Sequence, residues 1–439
     1  MSVHFLEIDM QLNKIACAVM ALAAGAAFAA PLNSRIALSA GASAIQGNLT
    51  LAVRNLCTAA SGVPTSFISG NFTTVVCANT AVTSASYVSK PDADFINFSG
   101  TSFAEFRVNV SNGSFGNIQI LNGNVFNFRN PATLTNIAAP AGAVIVGGAN
   151  DVEPSAFPDP TIGNNILFPS SPVGVAQVFG VTASNALYTK MFDAQKAAGT
   201  IPAECVVNST EKSFCIPSIG KAQMATIMAA NEFNAAYSKG LGFLTGNPAD
   251  DAVELRYVRR VDTSGTQASA QNYFLGLPCS KAPLSIVAEP TAEDPTSEAG
   301  GLIDVKIGSI RVYAAGGTSD VRNELNKANG ANFVIGVVSG ENNQSGQFWR
   351  WLRVNGVPIG ENAVPGTAGI TNSNTMKNGT YDFFFETTYS GGTPAGEAFW
   401  TTVSAALNTL PAPVGLVNAT DLAAGYSKGG LTCSGAFSN

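Results

Sequence analysis

The segment Arg260-Val261-Asp262-Thr263-Ser264-Gly265-Thr266 gathers a guanidinium, hydroxyls and a glycine whose neighbouring amides stay accessible, which is what an oxyanion needs. Upstream, Val253-Glu254-Leu255-Arg256-Tyr257-Val258 partly alternates apolar and polar as a half-buried strand does. Downstream, Gln267 to Leu275 holds good helix formers and no breaker before Gly276 and Pro278. The motif therefore belongs to a strand-to-helix turn. Ser264 and Gln267 have the capping-box spacing, which predicts Ser264 at the helix N-cap with the next amides free. Free N–H groups and the positive end of a helix dipole favour an anion, and Arg260 adds a planar donor suited to two oxygens. Asp262 is read as fixing Arg260 or the turn. An ordinary capped turn with a solvated arginine uses the same residues, so the motif needs support from elsewhere in the chain.

Three further segments share its grammar. Ser34–Ser39 reads as a strand running into Ala40-Gly41-Ala42-Ser43, followed by a helical pattern with Ile45, Leu49 and Ala52 on one face; Ser43 and Gln46 repeat the capping-box spacing. Ala104–Val110 alternates as a strand before Asn112-Gly113-Ser114-Phe115-Gly116-Asn117, where glycines would let backbone approach a ligand closely. Ala143-Val144-Ile145-Val146 is an apolar strand leading through Gly147 and Gly148 to Asp151, an acceptor among donors.

Composition removes most other chemistries. Residues 1–29 read as a secretory signal peptide: Lys14, then an apolar run from Ile15 to Phe28, then the small-residue site Ala27-Phe28-Ala29. The lone histidine, His4, lies inside that leader. The mature chain then has no Ser-His or Cys-His nucleophile and no His-ligated metal site, and neither a cofactor nor a metal is expected. Removing Lys14, Glu7 and Asp9 leaves 22 basic and 27 acidic residues, net −5, which argues against nucleic acid. No later window resembles a membrane span, so no membrane insertion is expected after cleavage. Six cysteines remain, with no Cys-x-x-Cys pair, and an exported chain makes them disulfides. The pairing expected is Cys57 with Cys77, Cys205 with Cys215, and Cys279 with Cys433, one of 15 connectivities.

The four turns, in this order, resemble those of the phosphate-binding proteins that serve ABC transporters, members of the type 2 periplasmic-binding-protein fold. Gln177–Val181, Ser218–Met228 and Asn332–Ser339 look like that family's crossing strand, following helix and return strand. The resemblance implies phosphate contacts at Ser43, Ser114, Asp151, Arg260, Ser264, Gly265 and Thr266. It implies an α/β architecture of two lobes joined by two crossing strands: lobe one over 30–182 and 336–439, lobe two over 183–335. The sequence departs from the family at Ala44-Ile45, Phe115, Asn117 and Asn150, and in a longer Ser/Thr/Asn-rich connection between Cys57 and Ser114.

The expected function is capture of inorganic phosphate or a related oxyanion between the lobes by a periplasmic or secreted monomer. An ABC permease would be its partner, and no enzymatic activity is expected. Asp151 would act as the selectivity filter, because phosphate still carries a proton to donate to a carboxylate at neutral pH and sulfate does not. The alternative is a secreted structural or surface and matrix interaction protein on the same scaffold. A phosphatase would need a carboxylate-held metal or a Lys-activated serine, and no such cluster stands out.

Overall fold

The computed structural model describes residues 32–157, 170–209, 212–229, 233–277, 286–361, 363–364, 369–370, 373–410 and 414–422. The signal-peptide expectation and the Cys279–Cys433 pair lie outside them.

The chain is a mixed α/β protein. Its strands, in order, are β1 (Ile36–Ala40), β2 (Val63–Ser69), β3 (Phe72–Ala78), β4 (Glu105–Asn109), β5 (Asn127–Arg129), β6 (Asn136–Ala138), β7 (Val144–Asn150), β8 (Ser171–Ser184) and β9 (Ser218–Ile219). There follow β10 (Leu255–Arg260), β11 (Asp304–Ile307), β12 (Ile310–Ala315), β13 (Val334–Ser339), β14 (Trp349–Trp351), β15 (Arg353–Val354), β16 (Phe384–Ser390) and β17 (Leu416–Asn418). Thirteen of them form one sheet with the path β11-β12-β10-β13-β8-β16-β7-β1-β4-β3-β2, and β14 and β17 join it at β8. The remaining strands make two small pairs, β15 with β9 and β5 with β6.

Two groups within this sheet are parallel: β4-β1-β7 and β12-β10-β13. Between them lies β8, rich in buried β-branched residues (Val173, Val175, Val178, Val181), as befits a strand covered on both faces. Residues Ser171–Val178 of β8 pair with β16 and β17, whereas Phe179–Ser184 pair with β13 and β14. Two large apolar clusters flank the sheet. One packs the helices Gln46–Ala59 and Pro394–Asn408 through Leu49, Val53, Phe399, Trp400 and Val403. The other surrounds β8, β10, β12 and β13.

Several expectations change in detail. The strand before the Arg260 turn is not half-buried: Leu255, Tyr257, Val258, Arg259 and Arg260 are all buried, because β10 is a central strand of a parallel group with the helices Gly265–Ala270 and Thr318–Gly330 packed against it. The strand expected to stop at Val146 continues to Asn150. Gly147 and Gly148 permit this, since an added Cβ would fall 1.9 Å from Ser390 O and 1.7 Å from Ala40 O respectively. Cys57–Cys77 pins the Gln46–Ala59 helix to β3, and Cys205–Cys215 closes a short loop, both as expected. Among the described residues no helix is long and apolar enough to cross a membrane.

Candidate functional site

In open α/β sheets ligands bind beyond the carboxyl ends of parallel strands, where loops rather than side-chain ladders fill the space. Here both parallel groups deliver such ends to one region. From β1, β4 and β7 come Gly41–Ser43, Ser111–Ser114 and Asp151; from β10, β12 and β13 come Val261–Thr266, Gly316–Thr318 and Gly340–Asn342.

The two sets touch at the base. The Asp151 amide donates to Ser114 Oγ at 2.9 Å, and the Phe115 amide donates to Thr263 O at 3.4 Å. Gly113, with φ +57°, lies against Ser264, its added Cβ falling 3.6 Å from Ser264 Cα. Gly265 sits closer still: a Cβ there would lie 2.2 Å from Ser114 Oγ and 2.7 Å from Asp151 Oδ2. A glycine is what allows this approach. Ser114, Asp151, Ser264, Gly265 and Thr266 are all buried; the first four meet at this base, and none of the five lines the cleft described below.

Asp151 is 3 % exposed, and its Oδ1 has no partner among the described residues. Burial, reinforced by the charge of Glu341, pushes its carboxyl up to about 7, against the opposing pull of Arg260 and the Ser114 hydrogen bond. Arg260 is buried too, and desolvation lowers its guanidinium to about 10, with Asp151, Asp320 and Glu341 holding it up. Its Nε donates to Ala315 O at 3.2 Å, Nη1 to Thr318 Oγ1 at 2.9 Å and Nη2 to Gly316 O at 2.9 Å. One N–H on each terminal nitrogen keeps no acceptor among the described residues.

Arg260 and the exposed Ser43 line a cleft of about 560 Å³, together with Gly316, Gly317, Thr318, Asp320, Arg322, Glu341 and Asn342. Neither predicted capping box forms. The Ser264 hydroxyl makes no cap bond, and the Gln267 side chain, which would return to the Ser264 amide in a capping box, accepts instead from the Arg260 amide at 3.0 Å, tying the helix start to the end of β10. Gln46 reaches away from Ser43 to Thr73 Oγ1 at 2.9 Å, and Ile45 takes the N-cap position. With no side-chain cap at Ser264, the amides of Gly265, Thr266 and Gln267 keep no acceptor among the described residues. Asp262 holds the turn rather than Arg260: its carboxylate accepts from Arg259, and its amide donates to Glu289 Oε2 at 2.8 Å.

Sequence reasoning missed two contributors. Gly316-Gly317 opens the helix Thr318–Gly330, and Asp320 Oδ2 accepts from the Gly317 amide at 2.8 Å. The signal was present, since an apolar strand followed by Gly-Gly-Thr-Ser-Asp is a helix-start pattern. Glu341 had no signal, being a lone acid after a strand. As a whole it is only half-buried, yet its carboxylate is enclosed, accepting from Ser339 Oγ at 2.6 Å, Gln177 Nε2 at 3.2 Å and Asn342 Nδ2 at 3.3 Å. Burial raises its pKa in spite of those bonds.

Among the described residues no group of three or more His, Cys, Asp or Glu is placed to hold a metal. Comparison with family models, with curated proteins and with solved structures gives no match to this chain.

Proposed function

We propose that the chain is a two-lobe solute-binding protein of the type 2 periplasmic kind that captures phosphate and hands it to a membrane transporter. The observation that carries this reading is the convergence of six strand ends, with the Gly265 backbone brought against Ser114 and Asp151 and the charge of Arg260 acting on the Asp151 carboxyl. The change of partners along β8 and the two large apolar clusters support the two-lobe arrangement, with β8 as a crossing strand. Asp151 would accept the proton that phosphate carries and sulfate lacks. Titration calorimetry of the purified protein with phosphate and sulfate tests this: phosphate binds and sulfate does not, and equal binding of both, or of neither, refutes it.

A second reading is a secreted structural or surface interaction protein that keeps this scaffold without the transport role. It draws on the cleft lining, where Asp320 and Glu341 balance Arg260 and Arg322 and leave no formal positive excess. Loss of surface attachment on gene deletion, with phosphate uptake unchanged, would favour it.

A further inference from the structure

We infer that the cleft takes a phosphomonoester of a small non-aromatic polyol in preference to free orthophosphate, an inference that rests on the oxyanion reading above. Size is the first ground. Orthophosphate displaces roughly two to three water volumes of ~30 Å³ each, while the cleft beside Arg260 offers about 560 Å³. That volume falls in the range of roughly 300–1,000 Å³ that encloses small organic ligands.

The lining gives the chemistry of the remainder. Beyond Arg260, the walls are Asn71 and Ser111 on one side and Ser319 and Asn342 on the other, neutral groups that both donate and accept hydrogen bonds. Val110 is the one apolar side chain beside them, and no aromatic side chain lines the cleft among the described residues. A nucleobase would find no ring to stack on, and an alkyl chain would find little apolar surface. Charge narrows the class further. Arg260 donates only to neutral oxygens and keeps its charge for one phosphate, whereas the other cation, Arg322, lies beside Asp320 and Glu341 and already directs Nη1 to Asn342 Oδ1 at 3.4 Å. A second phosphate or a carboxylate on the ligand would therefore meet no unmatched cation. Hydroxyl groups meet the Asn and Ser side chains without that cost.

The test is calorimetric titration of the full mature chain with orthophosphate, glycerol phosphate, a hexose monophosphate and adenosine monophosphate. At least one polyol phosphate should bind about tenfold tighter than orthophosphate, the effect of one or two added neutral hydrogen bonds. Adenosine monophosphate should bind no better than orthophosphate. Both Asn71 and Ser319 are exposed, so the double variant Asn71→Ala/Ser319→Ala should fold, checked by circular dichroism, and weaken the polyol phosphate more than orthophosphate. Orthophosphate binding as tightly as every ester, or a preference for adenosine monophosphate, overturns the inference and leaves the oxyanion reading standing. Absence of binding by all four overturns both.

Discussion

Replacement of Asp151 by Asn should flatten part of the pH dependence of stability, with a sign fixed by burial. The carboxyl titrates at about 7 in the folded protein against an ordinary 3.8, chiefly because it is removed from water and secondarily because Glu341 faces it. Between those values the folded chain holds a proton that the unfolded chain has released, so stability falls as pH rises from about 4 and levels off just above 7. At 1.36 kcal/mol for each unit of difference, the ionised carboxylate costs about 4 kcal/mol at pH 8. An amide in place of the carboxyl would keep the shape and carry no charge, so Asp151→Asn should match wild type near pH 4 and exceed it by an amount approaching that figure at pH 8. Glu341 is raised in the same direction and remains in both proteins, so the difference between them reports Asp151 together with its coupling to Glu341. Urea unfolding in phosphate-free buffer at pH 4.5, 6 and 8 measures it through the midpoint at constant slope. A pH-independent difference between the two proteins would refute the argument, because it would mean that Asp151 ionises in the fold as it does in water.

Gly265→Ala places a methyl 2.2 Å from Ser114 Oγ and 2.7 Å from Asp151 Oδ2; it should cost roughly 1–3 kcal/mol in urea unfolding and abolish phosphate binding in calorimetry, and wild-type values for both would show that the base is not packed this closely. Cys57→Ser/Cys77→Ser opens a bridge with a sequence separation of 20. The loss expected in denaturant titration is roughly 3 kcal/mol, and an unchanged midpoint would deny the bridge that role.

How much of this was legible in the sequence depends on range. The Arg260 turn was, because its signals are local: a strand pattern, Gly265 at the turn, and Gly276, whose φ of +69° ends the helical stretch. Both capping boxes failed for a non-local reason. Gln46 and Gln267 have the right spacing, but each finds a better partner in another element, Thr73 in one case and the Arg260 amide in the other. The end of β7 was misread because Gly147-Gly148 looks like a turn until the backbones of Ser390 and Ala40 are known to lie against it. The reading of β10 as half-buried failed likewise, since the helices that pack against this partly alternating strand come from residues after it in the chain. Glu341 could not be singled out at all: its importance comes from Gln177, 164 residues earlier, and from the field it exerts on Asp151.

The sharing of β8 has a consequence for how the molecule comes apart. One continuous strand supplies the hydrogen-bonding edge for β13 and β14 over its last residues and for β16 and β17 over its first. Melting it would orphan ladder groups in all four neighbours together, and its valines belong to both of the large apolar clusters. The two cores therefore share a fate: neither can open fully while the other keeps its edge, and unfolding is cooperative across the whole sheet even though the packing is divided.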